Sequence, residues 1–318
     1  MRHFTTTLLL LYTLIGFSQE KKTVYKEYSF TQLFKMIEEE KDTIFKLKNA
    51  FIRYNAKTDS LRTTIISGFL EVKPLQENQE KIIIIDKRIV FKNVMFNTKF
   101  TSIKDSISDN MIFYDSGVLT NIHFKKRVIF EKVIGLTLHL NVFDEGCFFL
   151  NQNKQNIDRE FLTKNKIGLR ISIGENIFKK GVNLISIHEE DEKQKPFFHF
   201  FRNTIHTQYE EKAKTNFNAS ISFTNSKFLI ISFNQFTGNG FKRFEFSKNQ
   251  DLSLTDNTFT GSRTEISITG EHDALVFKKN SFAEELQLSL NNLRSSDLID
   301  WKQFNNSIIS YNAFDNYT

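Results

Sequence analysis

One short pattern constrains the fold of this chain more than any other feature. Two apolar residues appear in alternation, an asparagine follows, and a phenylalanine comes two positions later. The clear copies are Leu136-Thr-Leu-His-Leu-Asn141-Val-Phe143, Ile171-Ser-Ile-Gly-Glu-Asn176-Ile-Phe178 and Leu229-Ile-Ile-Ser-Phe-Asn234-Gln-Phe236. Leu252-Ser-Leu-Thr-Asp-Asn257-Thr-Phe259 and Leu275-Val-Phe-Lys-Lys-Asn280-Ser-Phe282 follow directly. Weaker copies surround Asn49, Asn93, Asn121, Asn203 and Asn312. Asn93 and Asn121 carry their phenylalanine one place late (Phe96, Phe124), and Asn203 carries Ile205 instead.

From Asn93 onward the asparagines are spaced 28, 20, 35, 27, 31, 23, 23 and 32 residues apart. The shortest spacings fit one bare turn of a coil, and the longer ones fit the same turn with an inserted loop. The expected insertions are 151–166, 189–196, 207–215 and 291–303, all polar or charged, as excursions from a solenoid should be. A second alternating stretch lies between the asparagine units, as in Phe241-Lys-Arg-Phe-Glu-Phe246 and Glu265-Ile-Ser-Ile268. Each turn therefore has at least two strand faces, each burying one side.

Stacking turns of this kind places equivalent side chains in ladders. Phe143, Phe178, Phe236, Phe259, Phe282 and Phe314 are expected to form an internal aromatic stack. Asn141, Asn176, Asn234, Asn257, Asn280 and Asn312 sit where the inward parity changes, which marks a corner. Asparagine tolerates corner backbone, and its side chain bonds to backbone groups or to the next asparagine. Composition agrees: phenylalanine supplies 35 of 318 residues and proline two, which suits long runs of paired strand. A β-sandwich would need Gly/Pro-rich punctuation about every 8–12 residues, and this chain is poor in both.

The chain resembles right-handed parallel β-helix proteins over roughly residues 82–318. Its tandem turns from Leu229 to Phe282 are similar to degenerate pentapeptide-repeat proteins. It departs from that pattern in its variable turn length and in placing asparagine where a small residue is usual. The resemblance specifies a fold and no activity. The expected fold is all-β, a right-handed parallel β-helix of about nine or ten coils. Residues 1–18 read as a signal peptide, 19–48 as an N-terminal segment with a capping helix, and 49–318 as the β-helix with inserted loops.

The signal reading rests on Arg2, the apolar run Leu8 to Ile15, and Gly16 and Ser18 at the cleavage positions. It predicts a chain beginning at Gln19 in the periplasm or outside the cell, with no membrane span after cleavage. Ser29 and Gln32 fit a capping box, and Phe30, Leu33, Phe34 and Ile37 share one helical face. That amphipathic helix is expected to lie across the first coil. No comparable cap is legible at the other end, where the chain stops in mid-repeat. This raises the expectation that the residues are an ectodomain of a larger membrane protein, of transporter or channel type.

Charge and motifs give little chemistry. The formal charge is +6, scattered and not gathered into a block, so no nucleic-acid partner is assigned. Cys147 lies in an apolar stretch and reads as buried and inert. The acidic run His188 to Glu192 lacks the spacing of a calcium loop. His199 and His206, with Glu210 and Glu211, read as surface groups, and neither set is assigned a metal or cofactor. Lys242, Arg243, Arg263, Lys278 and Lys279 make a modestly basic stretch suited to an anionic glycan. Three functions stay open: an exported, non-enzymatic scaffold binding a polysaccharide or an envelope protein, the ectodomain, and a polysaccharide lyase or hydrolase by fold analogy.

Overall fold

The computed structural model describes residues 23–55, 57–59, 64–67, 71–74, 82–97, 99–104, 111–116, 119–152, 159–165, 167, 170–187, 197–211, 215–294, 296–304 and 307–312. The signal segment 1–18, the acidic run 188–192 and Phe314 lie outside them. The architecture is mostly β and solenoid-like. Three all-parallel sheets of eight, eight and eleven strands account for most of the described residues.

Between Leu119 and Asn291 each turn gives one strand to each sheet in a fixed order. In one such turn, Phe228–Ser232 belongs to the first face, Gln235–Thr237 to the second and Lys242–Ser247 to the third. The next turn repeats this with Asp251–Thr255, Thr258–Phe259 and Thr264–Thr269, in register. Alternation buries one side of each strand, as at Ala219–Thr224 and Leu286–Asn291. Three inward rows thus meet in one apolar core that runs from Phe30 to Phe304.

The second face carries the aromatic ladder. Phe124, Phe143 and Phe178 stack nearly parallel, with centroids 4.9 and 4.8 Å apart. Phe236, Phe259 and Phe282 do the same at 4.9 and 4.8 Å. These spacings equal the step between paired strands. Ile205 interrupts the ladder, and Phe200 of the first face bridges the gap, 6.2 Å from Phe178 and 6.4 Å from Phe236.

The corner between the first and second faces is a hydrogen-bonded asparagine column. The Asn176 Oδ1 accepts both the backbone N–H of Asn141 (2.9 Å) and its Nδ2 (3.0 Å). Asn203 does the same for Asn176, Asn234 for Asn203, Asn257 for Asn234 and Asn280 for Asn257. Each Nδ2 also donates to a carbonyl of the preceding turn, for example Asn257 to Ile231 at 2.9 Å. Every buried carboxamide in the column is therefore satisfied, the condition under which a polar network stabilises a core.

Four sequence expectations are corrected here. First, the asparagines do not take the strained corner backbone. The residue before each one does: Leu140, Glu175, Arg202, Phe233, Asp256 and Lys279 all have φ between +49° and +56°. This left-handed residue changes the parity and turns the next side chain inward. Second, Asn121 itself holds the left-handed position, and the Ile122 N–H bonds to Asn141 Oδ1. Asn49 and Asn93 form a separate pair within the third face, 2.8 Å apart, also left-handed. Their late phenylalanines reflect these different roles.

Third, Asn312 is not a corner residue. It lies in Ser307–Asn312 of the third face, opposite Asn291. The corner of that turn is Gln303, whose Oε1 accepts from Asn280, and Phe304 packs 6.4 Å from Phe282. Residues 291–303 are consequently no insertion, because Leu298–Ile299 continues the first face. Fourth, the segment 151–166 is not simply polar. Its helix Arg159–Asn165 lays Leu162 on a second apolar cluster with Phe51, Met95, Ile134 and Ile167.

Two further additions interrupt the coil. Gln208–Glu210 and Thr215–Phe217 form an antiparallel hairpin. Thr64–Ser67, Glu71–Pro74, Lys99–Lys104 and Met111–Ser116 form a four-stranded antiparallel sheet drawn from two successive turns.

Helix α1 (Phe30–Glu39) begins with the expected capping box. Asp59 adds to it by accepting from the N–H groups of Phe30 and Thr31 at 3.3 and 2.8 Å. Burial pushes its carboxyl up, but these bonds and the Asn55 N–H at 2.7 Å outweigh it and hold the carboxyl below its usual range. The Lys87 ammonium donates to the carbonyls of Ile37, Glu38 and Glu40, closing the helix C-terminus. No described helix is long and apolar enough to cross a membrane.

Candidate functional site

The five basic residues singled out by sequence do not form one surface. Lys242 points inward. It occupies the column of Ala219 and Thr264 and is fully buried. Its ammonium donates to the carbonyls of Gly238 (2.8 Å) and Gly240 (3.4 Å) and to Ser262 Oγ (2.6 Å). Burial pushes it from 10.5 down to about 8, with Glu284 opposing the shift. Arg243 and Arg263 stand outward but are engaged by Glu245 at 2.6 Å and Glu265 at 3.0 Å. Lys278 and Lys279 belong to another corner, the one between the first and second faces. Alternation gives Lys242 the same parity as the buried Phe244 and Phe246, so its inward place was legible in its own strand and only its charge argued for the surface.

The outer surface of the first face carries an arrangement that none of these residues indicates. Strand Phe197–Phe201 reads Phe-Phe-His-Phe-Phe. Phe198 and Phe200 enter the core, so Phe197, His199 and Phe201 must face out. The next strand places Phe228 beside Phe197, Ile230 beside His199 and Ser232 beside Phe201. Phe197 and Phe228 lie 6.0 Å apart with planes tilted by 50°. His199 stacks on Phe201 at 4.3 Å. Phe228 keeps 39% of its surface exposed and Phe233, at the corner, 53%.

Two local features fix this strip. Gly174 lies opposite Phe201, and a Cβ there would stand 2.2 Å from the Phe201 ring. Glycine thus lets the ring settle over the neighbouring strand. Phe233 is an exposed aromatic residue at φ +56°. The same left-handed backbone recurs at the equivalent residue of the other turns, so the corner of the repeat, and not the strip, sets how Phe233 projects.

The strip has a charged border. The Arg170 guanidinium lies 5.5 Å over the Phe197 ring, and the Lys227 ammonium 5.4 Å over Phe228. His199 is held neutral, pushed down to about 4 by burial and by the Arg170 charge. His139 is pushed down to about 4 as well, by burial and by Arg202, and it sits 3.6 Å from Glu175. Arg202 in turn binds Glu175 at 3.3 Å. Asp251 continues the Phe197–Phe228 column. Burial and Asp273 raise its carboxyl, against Lys227.

Chemically, the strip offers aromatic and apolar surface, neutral imidazole, hydroxyl and cations within a few strand steps. His206, considered with His199 for metal, lies on the second face, where its Nδ1 meets Thr237 Oγ1 at 2.7 Å. Among the described residues no group of three His, Cys, Asp or Glu is placed to hold a metal ion. Cys147 faces the core, and burial pushes its thiol far up. Comparison with protein-family models, curated proteins and solved structures returned no match.

Proposed function

We propose that this chain is an exported, non-enzymatic right-handed parallel β-helix that binds a glycan along the outer strip of its first face. The observation that carries the reading is the cluster of outward rings Phe197, Phe201, Phe228 and Phe233 at one face, in contrast to the buried ladder of the second face. Aromatic faces take the C–H faces of sugar rings, and nearby polar groups set orientation. The right-handed sense follows from the strong preference for right-handed parallel crossovers. About nine or ten coils and a degenerate pentapeptide-like repeat are supported by the 23-residue step between Asn234, Asn257 and Asn280. Helix α1 serves as the cap: Phe30, Leu33 and Ile37 join the same core as the turns, and Phe30 lies 6.3 Å from Phe96. Export rests on the N-terminal segment described above.

The test is retention of the full chain on immobilised polysaccharides, wild type against F197S/F228S. Retention that the double substitution abolishes supports the reading; no retention on any polysaccharide, or retention indifferent to the substitutions, overturns it. A hydrolase reading draws on Asp251, a carboxyl raised above its usual range at the end of the aromatic column. New reducing ends appearing during the same incubation would replace binding with hydrolysis, provided that D251N abolished them.

A further inference from the structure

We infer that the ligand of this strip is an acidic polysaccharide lying along the solenoid axis, held by Arg170 and Lys227 on either side of Phe197. The inference rests on the glycan-binding reading above and names the class of glycan.

Arg170, Phe197, Phe228 and Asp251 occupy successive strands of one outward column. Lys227 directly precedes Phe228. The two cations therefore stand two strand steps apart, roughly 10 Å, with the Phe197 ring between them. Both side chains are exposed and lean over aromatic rings. A ring holds a cation loosely and leaves its outer hemisphere to solvent, so an incoming anion meets a charge already placed beside a stacking surface. Lys227 feels the Asp251 carboxylate without pairing with it, whereas Arg202, the other cation near the strip, is ion-paired with Glu175. The charges facing the column on its far side are Asp251 and, through it, Asp273. They repel an acidic chain and end the site after Phe228. The occupied stretch covers three strands, enough for a short run of sugars and too short to hold a long polymer by itself.

The test is calorimetric binding of dextran, dextran sulfate and alginate to the full chain. An uncharged chain is thereby compared with a sulfated and a carboxylated one. The double variant R170A/K227A is compared with K278A/K279A, which removes the same charge from another corner. The expected result is affinity for an acidic polymer about tenfold above dextran, lost in R170A/K227A and kept in K278A/K279A. Whichever of alginate and dextran sulfate binds more tightly identifies the anion. Dextran binding as tightly as both acidic polymers overturns the inference and leaves the glycan reading standing. Equal losses in the two double variants reveal diffuse charge attraction and also overturn it. Failure to bind any polymer removes both readings. All four side chains lie at the surface, and thermal unfolding confirms that each variant folds. Should R170A/K227A unfold, the single variants R170Q and K227Q are each expected to lose part of the acidic preference.

Discussion

The same side chain serves this molecule in two ways, and the contrast is sharpest on either side of the first face. Inside, phenylalanines of the second face stack within 12° of parallel at the strand step. Outside, Phe197 and Phe228 are tilted by 50° and partly open to solvent. Register is identical in the two places, so strand pairing does not set ring geometry. The packing around each ring does: the second-face ladder stacks in parallel, the buried and paired Phe130 and Phe149 of the third face tilt by 37°, and an open row keeps the freedom to meet something else.

The largest test of this contrast is Phe259→Ala. The ring is buried between Phe236 and Phe282, and its loss should cost about 3–5 kcal/mol in urea unfolding. A cost near that of a surface substitution would show that the stack contributes little. Asn257→Ala should follow at about 2–4 kcal/mol, because it strands the N–H and Nδ2 donors of Asn234 in a dry corner. A smaller loss would mean that water enters the column.

Lys242 tests how strictly the inner rows exclude charge. Its folded value of about 8 lies below the ordinary 10.5. Across that window the native chain gives up a proton that the unfolded chain still holds, so stability should rise with pH from about 8 toward 10.5. Below the window the full cost of the buried charge is present. Lys242→Met should abolish the rise and, at pH 7, change stability by about 1–3 kcal/mol in the favourable direction. A pH-independent wild type would contradict this. The smallest effect belongs to the outer row: Phe228→Ser should shift stability by no more than about 0.5 kcal/mol. A loss comparable to that of Phe259→Ala would show that the strip is a structural element and not a binding surface.

Much of the inner architecture was legible because it repeats. The Asn-x-Phe spacing located the corner, and strand alternation located the inward rows. What stayed hidden depended on exceptions to the repeat. The left-handed residue before each asparagine varies freely among Leu, Glu, Arg, Phe, Asp and Lys, so composition does not mark it. Gln303 and Phe304 do the work of an asparagine unit without its asparagine, which displaced the last corner onto Asn312. The outer strip went unread because attention to alternation picks out only inward positions. Its signal was present in the unbroken run Phe197-Phe-His-Phe-Phe201, where apolar residues at both parities mean that one row must face out.

The asparagine column also has a direction. From Asn141 to Gln303 every carboxamide oxygen accepts from the turn before it, so each asparagine's backbone N–H donates to the turn after, while its Nδ2 also reaches back to a carbonyl of the turn before. The amide dipoles are thus aligned head to tail, and each bond polarises the next. Assembly inherits this sense. A turn laid down alone leaves two N–H donors reaching forward into nothing, and only its successor quiets them. Growth from the N-terminal side always exposes a hungry edge, and the turn that supplies Gln303 answers the donors of Asn280 with a side chain one methylene longer than asparagine.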